Sequence, residues 1–181
     1  IRNLALLYSK IGQYDSALYF FRKRYNANPN DISNLSFMLN NFSKLQLNDS
    51  MLVYAKKLEM LKTDNPATFA EIADAFLDMG DFKKAISFYF KALAIKPSPD
   101  IYNNLAIAYE GEDKNDEAKK YYKMAVALQP DYSTSLRNLA ILYNKTAKYD
   151  TSLFYYKKLY AISSTEVSNL SGLAKLFLKL N

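Results

Sequence analysis

The sequence predicts an all-α chain, an array of helical hairpins, on three observations. Apolar residues recur at helical spacing, as in Leu4, Leu7, Tyr8 and Ile11. Pro29 and Pro97 stand 68 residues apart, and Pro97 and Pro130 stand 33 apart. On that same period of 33 or 34 residues, columns of small and aromatic side chains line up along the whole chain.

The small columns are Ala5, Ala73, Ala106, Ala140 and Ala174, then Ala17, Ala85, Ala118 and Ser152. An aromatic column, Tyr8, Phe42, Phe76, Tyr109, Tyr143 and Phe177, follows the first; a second, Phe21, Tyr89, Tyr122 and Tyr156, follows the other. Small residues let two helices approach closely, and rings fill the groove beside them. Ile11-Gly12-Gln13 and Met79-Gly80-Asp81 separate the two helices of a unit, and proline in the connector ends the second helix. This layout divides residues 1–181 into a partial unit 1–31, units 32–65, 66–98, 99–132 and 133–166, and a last helix, 167–181.

Unit 32–65 diverges. It places Leu39 and Met51 where small residues are expected, Ala55 at the second aromatic column, and Thr63 in place of proline. A large-for-small exchange matched by a small-for-large one compensates locally, or else the unit packs at a shifted angle. The fifth unit has Ser164 in place of proline. Pro97-Ser98-Pro99-Asp100 reads as a tight turn capped by Ser or Asp.

These columns resemble the tetratricopeptide repeat (TPR) family, most closely in Phe69 through Gly80, Phe82, Ala85, Tyr89, Ala92 and Pro97. The resemblance implies antiparallel helix pairs wound into one right-handed superhelical solenoid, with first helices lining a concave groove. The chain starts and stops inside helical patterns. The apolar Leu170, Leu173, Ala174, Phe177 and Leu178 of the last helix lack a partner, so the chain reads as a fragment of a longer protein.

Composition narrows the function. The chain is 50% hydrophobic and 23% charged, with 4 Gly, 5 Pro, no Cys and no His. A thiol nucleophile, an imidazole base and the usual zinc ligands are therefore missing, and neither enzymatic activity nor a cofactor is expected. The net charge of +6 is spread in pairs such as Lys56-Lys57, Lys83-Lys84, Lys119-Lys120 and Lys157-Lys158, which read as solvated helix faces. No apolar run is long enough for a membrane span. No compartment is assigned, with cytoplasm only as a default.

The expected function is a protein-interaction scaffold that binds a protein or extended peptide in the groove. The alternatives are an assembly element that self-associates through its array ends, or a regulatory array attached to a catalytic or DNA-binding domain. The resemblance places Asn103, Ile107, Arg137, Ile141, Asn144, Lys145, Lys175, Asp74 and Asp78 in the groove. Asn3, Asn104 and Asn138 each precede a Leu-Ala pair and form a column of amides. Two readings fit it. An amide donates to and accepts from a peptide backbone together, similar to the asparagine ladder of O-linked N-acetylglucosamine transferases; or these amides satisfy groups between neighbouring helices. Phe37 and Glu71 interrupt the column. Charge along the groove reads either as a polarity, acidic at Glu71, Asp74 and Asp78 and basic at Arg137, Lys145, Lys175 and Lys179, or as ordinary solvated surface. A basic clamp for chaperone tails is missing, and no repeated code for nucleic-acid bases appears at Ser36, Ala70, Asn103, Arg137 and Ser171.

Overall fold

The computed structural model describes residues 1–61 and 63–180. Among them are eleven helices: α1 Arg2–Lys10, α2 Tyr14–Ala27, α3 Ile32–Lys44, α4 Asn48–Met60, α5 Pro66–Asp78, α6 Phe82–Ile95, α7 Pro99–Gly111, α8 Asn115–Leu128, α9 Ser133–Lys145, α10 Tyr149–Ile162 and α11 Val167–Leu180. They group into two compact units, Ile1–Lys96 with α1 to α6 and Pro97–Asn181 with α7 to α11.

Each hairpin closes in the same way. The turn after the first helix places one residue in the left-handed region: Gly12 (φ 80°), Gln46 (56°), Gly80 (75°), Asp113 (58°) and Ala147 (56°). The next amide then reaches back to the carbonyl of the aromatic residue five positions earlier. Gln13 bonds Tyr8 at 2.9 Å, Leu47 bonds Phe42 at 3.0 Å, Asp81 bonds Phe76 at 2.9 Å, Lys114 bonds Tyr109 at 2.9 Å and Lys148 bonds Tyr143 at 2.9 Å. This is a Schellman closure, which satisfies carbonyls that a helix end otherwise leaves unpaired.

The ring of that same residue stacks on the second helix. Tyr8 lies on Phe20 at 5.7 Å, Phe42 on Tyr54 at 5.2 Å, Phe76 on Phe88 at 5.6 Å, Tyr109 on Tyr121 at 5.2 Å and Tyr143 on Tyr155 at 5.6 Å. All five pairs are near parallel, within 17°. Such a pair contributes about 0.5–1.5 kcal/mol beyond the area it buries.

The small columns sit where the helices touch. Ala5, Ala17, Ala73, Ala85, Ala106, Ala118, Ala140 and Ser152 are all fully buried. The Ser152 hydroxyl donates to the Ala140 carbonyl at 2.7 Å, which ties the small positions of α9 and α10 together. Ala174 departs from its column. It is exposed on α11, because no second helix of the described residues pairs with that helix.

Helix ends follow local chemistry. Asp31, Asn65 and Asp81 cap α3, α5 and α6, accepting from the amides of Asn34, Ala67 and Lys84. Pro29, Pro97 and Pro130 fall two residues after α2, α6 and α8 end. Ser98 occupies the cap position of α7, yet its hydroxyl makes no capping bond; Pro99 starts that helix instead. Asp100 accepts from the Tyr132 hydroxyl at 2.6 Å, not from a cap amide.

In the divergent hairpin, Leu39, Met51 and Ala55 are all buried, so the exchange of sizes keeps the interior filled. Tyr54 keeps the stack on Phe42. Gly80 has open space where a Cβ would go, so its requirement is conformational. Gly80→Ala is therefore expected to destabilise the chain by about 1 kcal/mol, read as a shifted midpoint in urea unfolding.

Candidate partner-binding surface

Within each unit, polar side chains join some first helices to the first helix one repeat on, as Ser43 of α3 joins Asp78 of α5. In the C-terminal unit, the Asn138 amide on α9 donates to Asn103 Oδ1 on α7 at 3.0 Å, and Ser135 Oγ donates to the same oxygen at 2.9 Å. Asn103 donates in turn to Asn104 Oδ1 at 3.1 Å. From α11, Lys179 donates to Asn144 Oδ1 at 3.1 Å. Arg137 donates from Nε to Asn169 Oδ1 at 3.3 Å and from Nη2 to Glu166.

This web decides what each groove residue from the sequence can offer. Asn103 is buried, 3% exposed, and turned toward Ser135 and Asn138. Its side-chain oxygen is taken up by these two neighbours. Asn104 and Asn138 are half-buried. Asn138 donates one bond to Asn103 inside the unit, so these two amides make an interhelix contact. Ile107 is half-buried against the cluster around Ala106 and Leu139. Ile141 is 48% exposed, with the half-buried Asn138 and Asn144 one turn to either side. Lys145 and Lys175 are exposed, whereas Arg137 is held in its ion pair with Glu166.

In the N-terminal unit, Asp74 accepts the Tyr89 hydroxyl at 2.5 Å. Asp78 accepts from Ser43 and faces the Lys44 ammonium at 3.8 Å. Both carboxylates thus carry internal bonds. Glu71 is half-buried on the same helix; burial raises its carboxyl pKa, and Asp74 adds to the rise. Tyr122 is pushed well above the ordinary phenol range by burial and by the Glu110 carboxylate that it donates to. Asp31 lies lower than usual: burial raises it, but the hydrogen bonds from Arg24 and the Asn34 amide outweigh that.

Two columns escaped the sequence reading. One is the stacking partner of every hairpin, Phe20, Tyr54, Phe88, Tyr121 and Tyr155, one residue before the column that was read. Its period was visible, but the adjacent aromatics competed with it. The other is buried: Asn34, Thr68, Ile101, Ser135 and Asn169, all under 9% exposed and four of the five polar. Asn34 donates to the Phe21 carbonyl at 3.0 Å, a bond from α3 back to the hairpin before it. Among the remaining tyrosines, Tyr25 accepts a hydrogen bond from Lys57 at 2.8 Å and Tyr102 stacks on Tyr121 at 6.3 Å, while Tyr19 and Tyr160 are exposed.

Helical hairpins repeated at one period and joined through polar first helices define a helical-repeat interaction array. Residues 68–100 and 98–165 match models of the tetratricopeptide repeat, and the chain belongs to that family. A curated relative, the photosystem I assembly protein Ycf3 of Cyanophora paradoxa, is 32% identical over 42% of this chain and 53% of that protein. The chain thus spans about half the length of the curated relative it matches.

Solved structures share the fold. PilW, a type IV pilus biogenesis factor, aligns at 15% identity over 99% of this chain and 90% of its own, with a TM-score of 0.83. A thermophilic TPR protein of Thermus thermophilus aligns at 21% identity over 98% and 97%, with a TM-score of 0.77. MamA aligns at 19% over 89% and 95%, with a TM-score of 0.76. The chain has the fold of protein-interaction scaffolds, which are generally non-catalytic. No helix of the described residues is long and apolar enough to cross a membrane.

The raised carboxyl of Glu71 gives a pH test. Its folded-state pKa lies above the unfolded value of 4.5, so folding favours the protonated form and ionisation at neutral pH opposes it. Glu71→Gln is expected to raise Tm at pH 7, and the gain should shrink as pH falls through the raised folded-state pKa towards 4.5, as thermal unfolding at several pH values would show.

Proposed function

We propose that the scaffold binds an extended protein segment along the first-helix face of its C-terminal unit. The observation that carries this is the strip Asn138, Ile141, Asn144 and Lys145 on α9, where a half-exposed isoleucine is bracketed by amides. An extended segment needs both kinds of group. Its side chains need apolar contact, and its backbone needs donors and acceptors that tolerate any sequence.

Lys175 on α11 and Ile107 on α7 extend the strip to the neighbouring first helices of the unit. Asn104 adds an amide on α7, and Asn103 fixes the rotamer of Asn138 from below. Arg137 contributes through Glu166, which its guanidinium holds at the start of α11. Asp74 and Asp78 supply a separate acidic stretch on α5 of the N-terminal unit.

Ile141→Glu tests this reading, because the side chain is exposed and its replacement leaves the interior intact. Proteins recovered from native lysate by the wild-type chain are identified, and their segments are measured as synthetic peptides. Binding should weaken by about tenfold or more in Ile141→Glu and stay unchanged in Lys157→Glu on the exposed side of α10. Equal affinity for all three chains would remove the first-helix face from consideration.

A further inference from the structure

A second surface lies on other residues. The lysine pair Lys119-Lys120, which reads in the sequence as a solvated face, lines a cleft of about 490 Å³ together with Asp116, Lys123, Tyr143 and Lys148. It is built from α8, the end of α9 and the turn into α10, and shares no residue with the strip around Ile141. Four ammonium groups stand against one carboxylate, so the lining carries a net charge of +3.

The arrangement gathers two of its cations, Lys119 and Lys123, beside one ring. The Tyr143 ring is 7% exposed, with Lys119 Nζ 5.6 Å and Lys123 Nζ 5.7 Å from its centre. Lys119 is itself pulled in, its side chain only 12% exposed, and it meets Asp116 Oδ1 at 3.0 Å. That carboxylate is 93% exposed and reaches the lysine from solvent. The hydrogen bond to Tyr143 raises the pKa of Lys123, and Lys119 lowers that of Asp116, so both shifts favour the charged form at neutral pH. Lys120 and Lys148 are exposed on the rim of the cleft.

Like charges gathered in one cleft repel, and a ligand that brings several negative charges relieves the repulsion. Asp116 already occupies the place that one ligand carboxylate would take. We propose that this cleft docks a carboxylate-rich segment of a partner protein, its Asp or Glu side chains seated between Lys119, Lys120, Lys123 and Lys148. A protein segment fits better than a nucleic acid. The lining holds no arginine, and its one ring is buried beside cations instead of open for base stacking.

Fluorescence anisotropy decides it, with a labelled dodecapeptide of alternating Glu and Ser as the probe and the folded 181-residue chain as the receptor. The double variant Lys120→Gln, Lys148→Gln should bind at least about tenfold more weakly. Asp116→Asn, which frees Lys119, should bind more tightly. Lys56→Gln, Lys83→Gln removes the same charge from exposed positions elsewhere and should change little. Circular dichroism of each variant checks that the helices are kept.

Three results would overturn the proposal. The Lys56, Lys83 variant could lose as much affinity as the cleft variant, which would mean that only net charge matters. Oligo-dT of equal charge could bind as tightly with the same lysine dependence, which would make the site one for nucleic acid. Millimolar inorganic phosphate could displace the peptide completely, which would mean that the cleft takes an isolated anion. None of these readouts depends on Ile141, so the two surfaces stand or fall separately.

Discussion

The closure of the helical hairpin is the constraint on which everything else rests. One aromatic residue near the end of each first helix does two jobs at once. Its carbonyl accepts the bond that ends the helix, and its ring stacks on the second helix. The left-handed residue between them turns the chain so that both are possible. Because one residue fixes both the turn and the packing, the hairpin geometry survives sequence change around it. The divergent hairpin keeps Phe42, Tyr54 and the closure at Gln46, although its small positions are filled by Leu39 and Met51.

Between hairpins polar bonds join the ring contacts, such as Phe21 on Phe37. Buried Asn34, Thr68, Ser135 and Asn169 lie at the seams, where an unpaired polar group would be costly. The partners of Asn34, Ser135 and Asn169 are a carbonyl and side chains of the preceding hairpin, so each of these seam bonds also fixes register. Apolar contacts alone would let neighbouring helices slide, whereas a directional bond holds one alignment. The same bonds draw Asn103, Asn138 and Arg137 inward. Beside the web, Ile141, Lys145 and Lys175 stay exposed.

Charge follows a similar rule. Asp74, Asp78 and Arg137 read in the sequence either as part of a polarity or as solvated surface, and each has an internal partner in Tyr89, Ser43 and Lys44, or Glu166. Their fields are largely closed off locally. The lysines lining the α8 cleft are different, because four of them share a single aspartate. Sequence spacing could not separate these cases, since Lys119-Lys120 looks like any other lysine pair on a helix.

The sequence by itself determined the all-helical hairpin array, its period and, up to Ser152, its buried small columns. These features are local and repeated. Helical spacing, left-handed turns and close helix contact each demand a residue type at a fixed interval, so they show in one dimension. Tertiary structure alone decided which polar groups face a neighbour and which face solvent. Asn103 and Asn104 are adjacent in sequence and equal in chemistry, yet Asn103 is buried on the α9 side and Asn104 lies half-buried beside it. A helix turns about 100° per residue, so the fate of each amide is set by what packs on its own side. That partner lies some 32 to 35 residues away, in Ser135 and Asn138, and only the folded array brings it near.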